Sequence, residues 1–191
     1  RNRENPVVVS PDVIAEGTVY GWLTGAKVSF IAYPFFLPSG QYIKSGYLQL
    51  LPAADIAAMK IVAIIKARMR STRLPGKVML PILGRPMLEL MIERLRRVKQ
   101  IDAVVVATTT DESCDVIETL AGRLGVGCYR GSEEDVLDRV VQASRAAQAD
   151  LIVETTGDCP VIDPEVIGRV IDTFLAARVD YCSNVLERTY P

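Results

Sequence analysis

Lys60-Ile61-Val62-Ala63-Ile64-Ile65-Lys66 runs directly into Ala67-Arg68-Met69-Arg70-Ser71-Thr72-Arg73-Leu74-Pro75-Gly76-Lys77. The first part is an apolar run with strand character, and the second is a loop of small, hydroxylic and cationic residues. From Lys60 to Leu88 the chain carries Lys60, Lys66, Arg68, Arg70, Arg73, Lys77 and Arg85 without one acidic residue. A strand that feeds such a loop predicts the first βα connection of an open α/β sheet, the place where these sheets meet anionic ligands.

Outward from this stretch, strand-like and helix-like segments alternate. Pro86–Val98 is predicted as an amphipathic helix with Met87, Leu90, Met91 and Leu95 on one face and Pro86 in its first turn. Ala103–Thr108 reads as a strand, Glu112–Leu124 as a helix ended by Gly125, and Gly127–Tyr129 as a short strand. Ser132 followed by Asp135 resembles a capping box and opens a helix to about Ala147. Leu151–Glu154 is a strand, Asp163 caps a helix with Pro164 in its first turn, and Val179–Ser183 is a last strand. The pattern predicts an α/β fold with a mainly parallel sheet and helices on both faces.

Residues 1 to 58 differ in character, holding most of the aromatics, few charges and many Pro and Gly breaks. Thr18–Leu23 and Lys27–Tyr33 are expected strands, and Ala53–Ala58 hints at a helical turn. The segment is either a fused upstream module or an over-extended reading frame whose start is Met59, the latter being favoured. The nucleotide-binding part is then 59–191. Gly17–Pro38 is apolar, yet Lys27, Pro34 and Pro38 interrupt it, so it is not read as a membrane span.

With 191 residues and 49% hydrophobic content, the chain can bury one sizeable core. Its 22 basic and 23 acidic residues balance, so an anionic partner must be met by a local cluster, and neither nucleic acid nor a membrane surface is expected. Histidine is absent, which excludes the commonest general base and every His-based zinc site. Cys114, Cys128, Cys159 and Cys182 have no C-x-x-C spacing and are expected to be reduced thiols of a cytoplasmic protein.

Gly76 permits close backbone approach to a phosphate, and Ser71 and Thr72 offer hydroxyls and amides. If the loop turns as a short helix, Arg73 and Lys77 project the same way, one as a bidentate fork and one as a point charge. The alternative is a solvated basic loop, against which Leu74 and Pro75 argue. Neither a Walker loop nor the G-x-G-x-x-G signature is present. The second constellation is Thr155-Thr156-Gly157-Asp158-Cys159-Pro160, just after a strand, where Asp158 would project into the same crevice and ligate Mg²⁺ bridging phosphate oxygens. Its bland alternative is a turn aspartate.

ARMRSTRLPGK, VVVATTTDE, YRGSEEDVLDR, TGDCPVIDPEVI and SNVLERTYP, in this order, resemble the cytidylyltransferases that make CMP-activated acidic sugars, in the spore coat polysaccharide and acylneuraminate branches. The resemblance covers about Lys60 to Pro191. It implies a Rossmann-like, glycosyltransferase-A type fold, CTP and an acidic sugar as substrates, Mg²⁺, and a homodimer for the full-length protein. By position, it implies that Arg68, Ser71, Arg73 and Lys77 hold the triphosphate, Ala67 contacts the base through its backbone, and Asp158 is a metal ligand. Thr108 and Thr156 would line the nucleotide site, and Asp135 and Arg139 would flank it unless they are helix-surface residues. Arg70 stands where the family prefers a small residue. The chain also stops at Tyr190-Pro191, where related sequences continue into a sugar-binding and dimerisation half that carries a second metal carboxylate. Competing expectations are a UTP- or dTTP-dependent enzyme of the same fold, an inactive fragment, and a noncatalytic nucleic-acid-binding module.

Overall fold

The computed structural model describes residues 29–32, 58–177 and 181–184. Six strands form one parallel sheet: β1 (Ser29–Ala32), β2 (Ile61–Lys66), β5 (Ala103–Thr109), β6 (Gly127–Gly131), β7 (Leu151–Thr156) and β8 (Tyr181–Cys182). Their order across the sheet is β6-β5-β2-β7-β1-β8, so β2 and the loop after it are central. A separate antiparallel hairpin joins β3 (Pro81–Ile82) to β4 (Arg85–Pro86). The helices are α1 (Met87–Leu95), α2 (Asp115–Leu124), α3 (Val136–Ala146) and α4 (Pro164–Ala177).

The alternation of β2 assigns the two faces of the sheet. Ile61, Ala63 and Ile65 pack with Leu88, Met91, Ile92 and Leu95 of α1, Ile117 and Leu120 of α2, and Ile167, Ile171 and Phe174 of α4. Val62 and Ile64 pack on the other face with Val140 and Ala143 of α3. Because paired residues of parallel neighbours point to the same side, the register that matches Ile64 to Glu154 and Lys66 to Thr156 puts all four on the α3 face. The expected parallel sheet with helices on both faces is what the chain forms. Among the described residues, no helix is long and apolar enough to cross a membrane.

Several boundaries differ from the sequence reading for local reasons. The helix expected over Pro86–Val98 is shorter, because Pro86 is taken by the β4 bridge and precedes the helix. The helix expected from Ser132 starts at Val136; its cap is Asp135, whose side chain accepts from Asp138 N at 2.8 Å, while Ser132 Oγ accepts from Asp135 N. Asp and Ser cap about equally well, and here the Asp135 side chain takes the role, so the helix starts three residues later than Ser132 would have set it. Gly125 ends α2 in the left-handed conformation, as expected. Within residues 1 to 58, the run Lys27–Tyr33 contributes β1, whereas the expected strand Thr18–Leu23 and the body of the Ala53–Ala58 turn lie outside the described residues. The four cysteines are free thiols.

Candidate active site

β2 and β7 lie side by side, and their carboxyl ends deliver the two chemically loaded segments to one place. After Lys66 the chain leaves the sheet as an open loop rather than the short helix considered above; only Lys77–Met79 forms a 3-10 turn. Gly76 turns that loop. Its φ of 69° is open to glycine at little cost, and its amide donates to Met69 O at 2.8 Å, closing the loop on itself. After Thr156, Gly157 donates to Lys66 O at 2.8 Å. A Cβ at position 157 would stand 2.8 Å from that same oxygen and 3.1 Å from Ala67 Cβ, so only glycine lets the second segment lie against the first. The next residue is therefore delivered to the loop: Lys77 Nζ donates to Asp158 Oδ2 at 2.5 Å, across 81 residues of sequence.

These segments and the start of α3 enclose a cavity of about 650 Å³. Of the residues singled out from sequence, Ala67, Arg68, Ser71, Thr72, Arg73, Lys77, Asp135, Arg139, Thr156 and Asp158 line it. Gly76 and Thr108 do not. Gly76 faces a neighbouring depression with Arg70, and Thr108 alternates with Ala107, which pairs with Lys66, so Thr108 points to the opposite face of the sheet. Asp135 has a structural duty as the cap of α3, and Arg139 is 2% exposed, so neither is a plain helix-surface residue. Lys66, Glu154, Val136 and Leu137 also line the cavity and were not singled out. Strand parity was the available signal for Lys66 and Glu154, since both precede their loops on the α3 face.

The unopposed positive charge of the loop in sequence is largely opposed in space. Arg70 meets Asp111 at 2.7 Å, Arg85 meets Glu89 at 3.0 Å and Glu93 at 2.5 Å, and Arg68 approaches Glu133 at 3.7 Å. Lys66 pairs with Glu154, and Lys77 with Asp158. Arg73 is the loop cation on the cavity wall with no ion pair among the described residues. Arg70, in spite of its extra charge, is turned away to Asp111.

Burial pushes the Asp158 carboxyl up, but hydrogen bonds from Lys77 and Thr156 outweigh it and hold the group below the usual aspartate value. A carboxyl depressed on folding contributes stability above its unfolded pKa and loses it as pH falls through the folded one, so the pair is intact at neutral pH and weakens only in acid. Replacing Lys77 by Met should move the Asp158 titration upward, as read by its side-chain ¹³C shift. An unmoved titration would remove Lys77 as the cause. Burial, and then the charge of Arg68, lowers the pKa of the Arg139 guanidinium. Its Nη1 donates to Ser132 O, while Nε has no partner among the described residues.

The arrangement of a cation-bearing loop, a facing carboxylate and a buried guanidinium around one cavity is met by a sequence match. The sequence pattern described as Cytidylyltransferase matches residues 62–189. The chain belongs to the cytidylyltransferase family. Within it, the chain is 39% identical over 125 residues to the spore coat polysaccharide biosynthesis protein SpsF of Bacillus subtilis, a match covering 63% of this chain and 52% of that protein. A solved cytidylyltransferase of Leptospira borgpetersenii is 42% identical and superposes with a TM-score of 0.60, over 62% of this chain and 50% of that one. A solved CMP:2-keto-3-deoxy-manno-octonic acid synthetase complexed with CTP is 32% identical with a TM-score of 0.54, over 60% and 47%. The chain thus spans about half the length of the curated relatives it matches.

Proposed function

We propose that the protein, in its complete form, transfers a cytidylyl group from CTP to a hydroxyl of an acidic sugar, with release of pyrophosphate, in the synthesis of surface-glycan precursors. The observation that carries this reading is the meeting of Lys77 and Asp158 at the wall of one cavity, within the family's matched region. The synthetase solved with CTP supports the choice of nucleotide. Residues 59–191 are the nucleotide-binding part, the reaction is cytoplasmic, and the working protein is a homodimer.

The sugar hydroxyl attacks the α-phosphorus in line and gives up its proton to water, while the bond to the β-phosphate oxygen breaks and pyrophosphate leaves. Negative charge grows on the phosphate oxygens, and fixed donors aimed there stabilise it without reorganising. Arg73, free of an ion pair among the described residues, offers a fork, and Lys77 offers a point charge once it leaves Asp158. Ser71 and Thr72 add hydroxyls. Among the described residues, no group of three or more His, Cys, Asp or Glu side chains is placed to hold a metal ion by itself. Mg²⁺ is commonly held by one or two carboxylates together with substrate phosphates, and the exposed carboxylate of Asp158 on this cavity suits that mode. Bound there, Mg²⁺ would supply neutralisation of phosphate charge.

The test is pyrophosphate release with CTP, UTP and dTTP in turn, across a panel of acidic sugars. Release that requires CTP, a sugar and Mg²⁺ is expected. Equal release from UTP or dTTP would give the protein to the neighbouring reading, and release without any sugar would remove the transfer itself.

A further inference from the structure

The arginines that pair closely with carboxylates, Arg70, Arg85, Arg123 and Arg130, are all at least partly exposed. Arg139 is the reverse: it is 2% exposed and makes no ion pair among the described residues. Its Nη1 donates to Ser132 O, and Nε is closed off without a partner among the described residues. The stem is wedged against Gly131, where a Cβ would stand 3.1 Å from Arg139 Cγ. The charge is therefore not carried out to water, as long basic side chains usually carry theirs. Burial first, and the like charge of Arg68 second, hold its pKa below the ordinary arginine value, while the carboxylates of Glu133 and Asp135 act the other way and count for less.

A buried charge without a counter-ion is destabilising. This one adjoins the cavity whose other walls carry Arg68, Arg73 and Lys77. Set in a wall of low dielectric, its field is little screened and extends into the cavity. The carboxylates nearby do not cancel it. Glu154 and Asp158 are paired with Lys66 and Lys77, and Glu134 and Asp135 are exposed, so water screens them. A polyphosphate in the cavity would supply the missing counter-charge without touching the guanidinium.

We infer that Arg139 is a buried electrostatic anchor for the nucleotide's phosphates, acting through its charge and not by contact, uncompensated in the free protein and balanced when the nucleotide enters. This deepens the proposed function and rests on it in placing a nucleotide in the cavity. The competing role is structural, with the guanidinium serving only to fix the Ser132 carbonyl. Ser132 is exposed, so water can take over that hydrogen bond.

Arg139→Met removes the charge and keeps an apolar stem, and in the complete protein the two roles predict opposite results. The nucleotide-free variant should melt at or above the temperature of the parent, because the charge it loses is worth less than nothing to the fold. Its affinity for CMP, CDP and CTP, from NMR titrations in Mg²⁺-free buffer, should fall in proportion to ligand charge, about threefold for CMP and about tenfold for CTP. A displaced loop or a lost contact weakens all three alike. A uniform loss, or an unchanged affinity for CTP, overturns the inference and leaves the proposed function standing. So does a variant that melts several degrees lower or does not fold, since the guanidinium would then be compensated in the free protein. A parent protein that binds no CTP overturns the proposed function and this inference with it.

Discussion

Lys77→Met should lower the rate of Mg²⁺-dependent pyrophosphate release by roughly a hundredfold, while the affinity of the nucleotide-free protein for Mn²⁺ rises severalfold. The two changes have opposite signs because Lys77 has two partners in turn. In the free protein its ammonium sits 2.5 Å from Asp158 and competes with any cation for that carboxylate. On the proposed reaction it is released to the phosphates, where the loss of one fixed donor would cost on the order of 3 kcal/mol in the barrier. Asp158→Asn should reduce turnover by a similar factor and abolish the Mn²⁺ affinity that Lys77→Met enhances. The double variant should be little slower than the slower single one, since both act on one charge centre and their effects do not add. Electron paramagnetic resonance of Mn²⁺ gives the binding, and coupled pyrophosphate detection gives the rate. Fully additive losses, or Mn²⁺ affinity unchanged by Lys77→Met, would mean that the ion pair seen at rest has no part in the reaction.

The same pair shows what the sequence could and could not convey. The strand Ile61–Lys66, the loop after it and the Thr156–Asp158 turn were legible because each is local: an apolar run, a cluster of cations, a glycine before an acid. That Asp158 shares a crevice with the loop was expected from a parallel sheet, but the alternation of strands and helices does not give strand order, so the pairing of β2 with β7 was not legible. The partners of the loop cations were not legible, because Glu133, Asp111, Glu93 and Glu154 arrive from four other elements. A stretch without acids therefore reads as a naked positive surface in one dimension and is mostly compensated in three. Thr108 was placed at the cavity because it ends a strand, yet side-chain direction alternates along a strand and Thr108 has the wrong parity. The same parity rule, applied to Lys66 and Glu154, would have brought both into view. Gly76 was read as a phosphate contact. Its left-handed backbone turns the loop, a conformational need that Pro75-Gly76 already signalled as a turn dipeptide.

Lys66→Met should destabilise the fold by ~3–5 kcal/mol, and Lys66→Met combined with Glu154→Leu should restore most of that loss. The side chains of Lys66 and Glu154 are 11% and 2% exposed, on a sheet face otherwise filled by Val62, Ile64, Ile152 and Val140. Removing only the ammonium leaves a desolvated carboxylate whose second oxygen already lacks a partner among the described residues. Removing both charges leaves apolar side chains of comparable volume, which buried sites of this kind tolerate well. Against a total stability on the order of 5–15 kcal/mol, the single variant should lose about 10 °C or more of its melting temperature, while the double variant melts near the parent. Urea unfolding of the three proteins measures the difference; a single variant within about 1 kcal/mol of the parent would mean that water reaches the pair and that no buried charge is at stake.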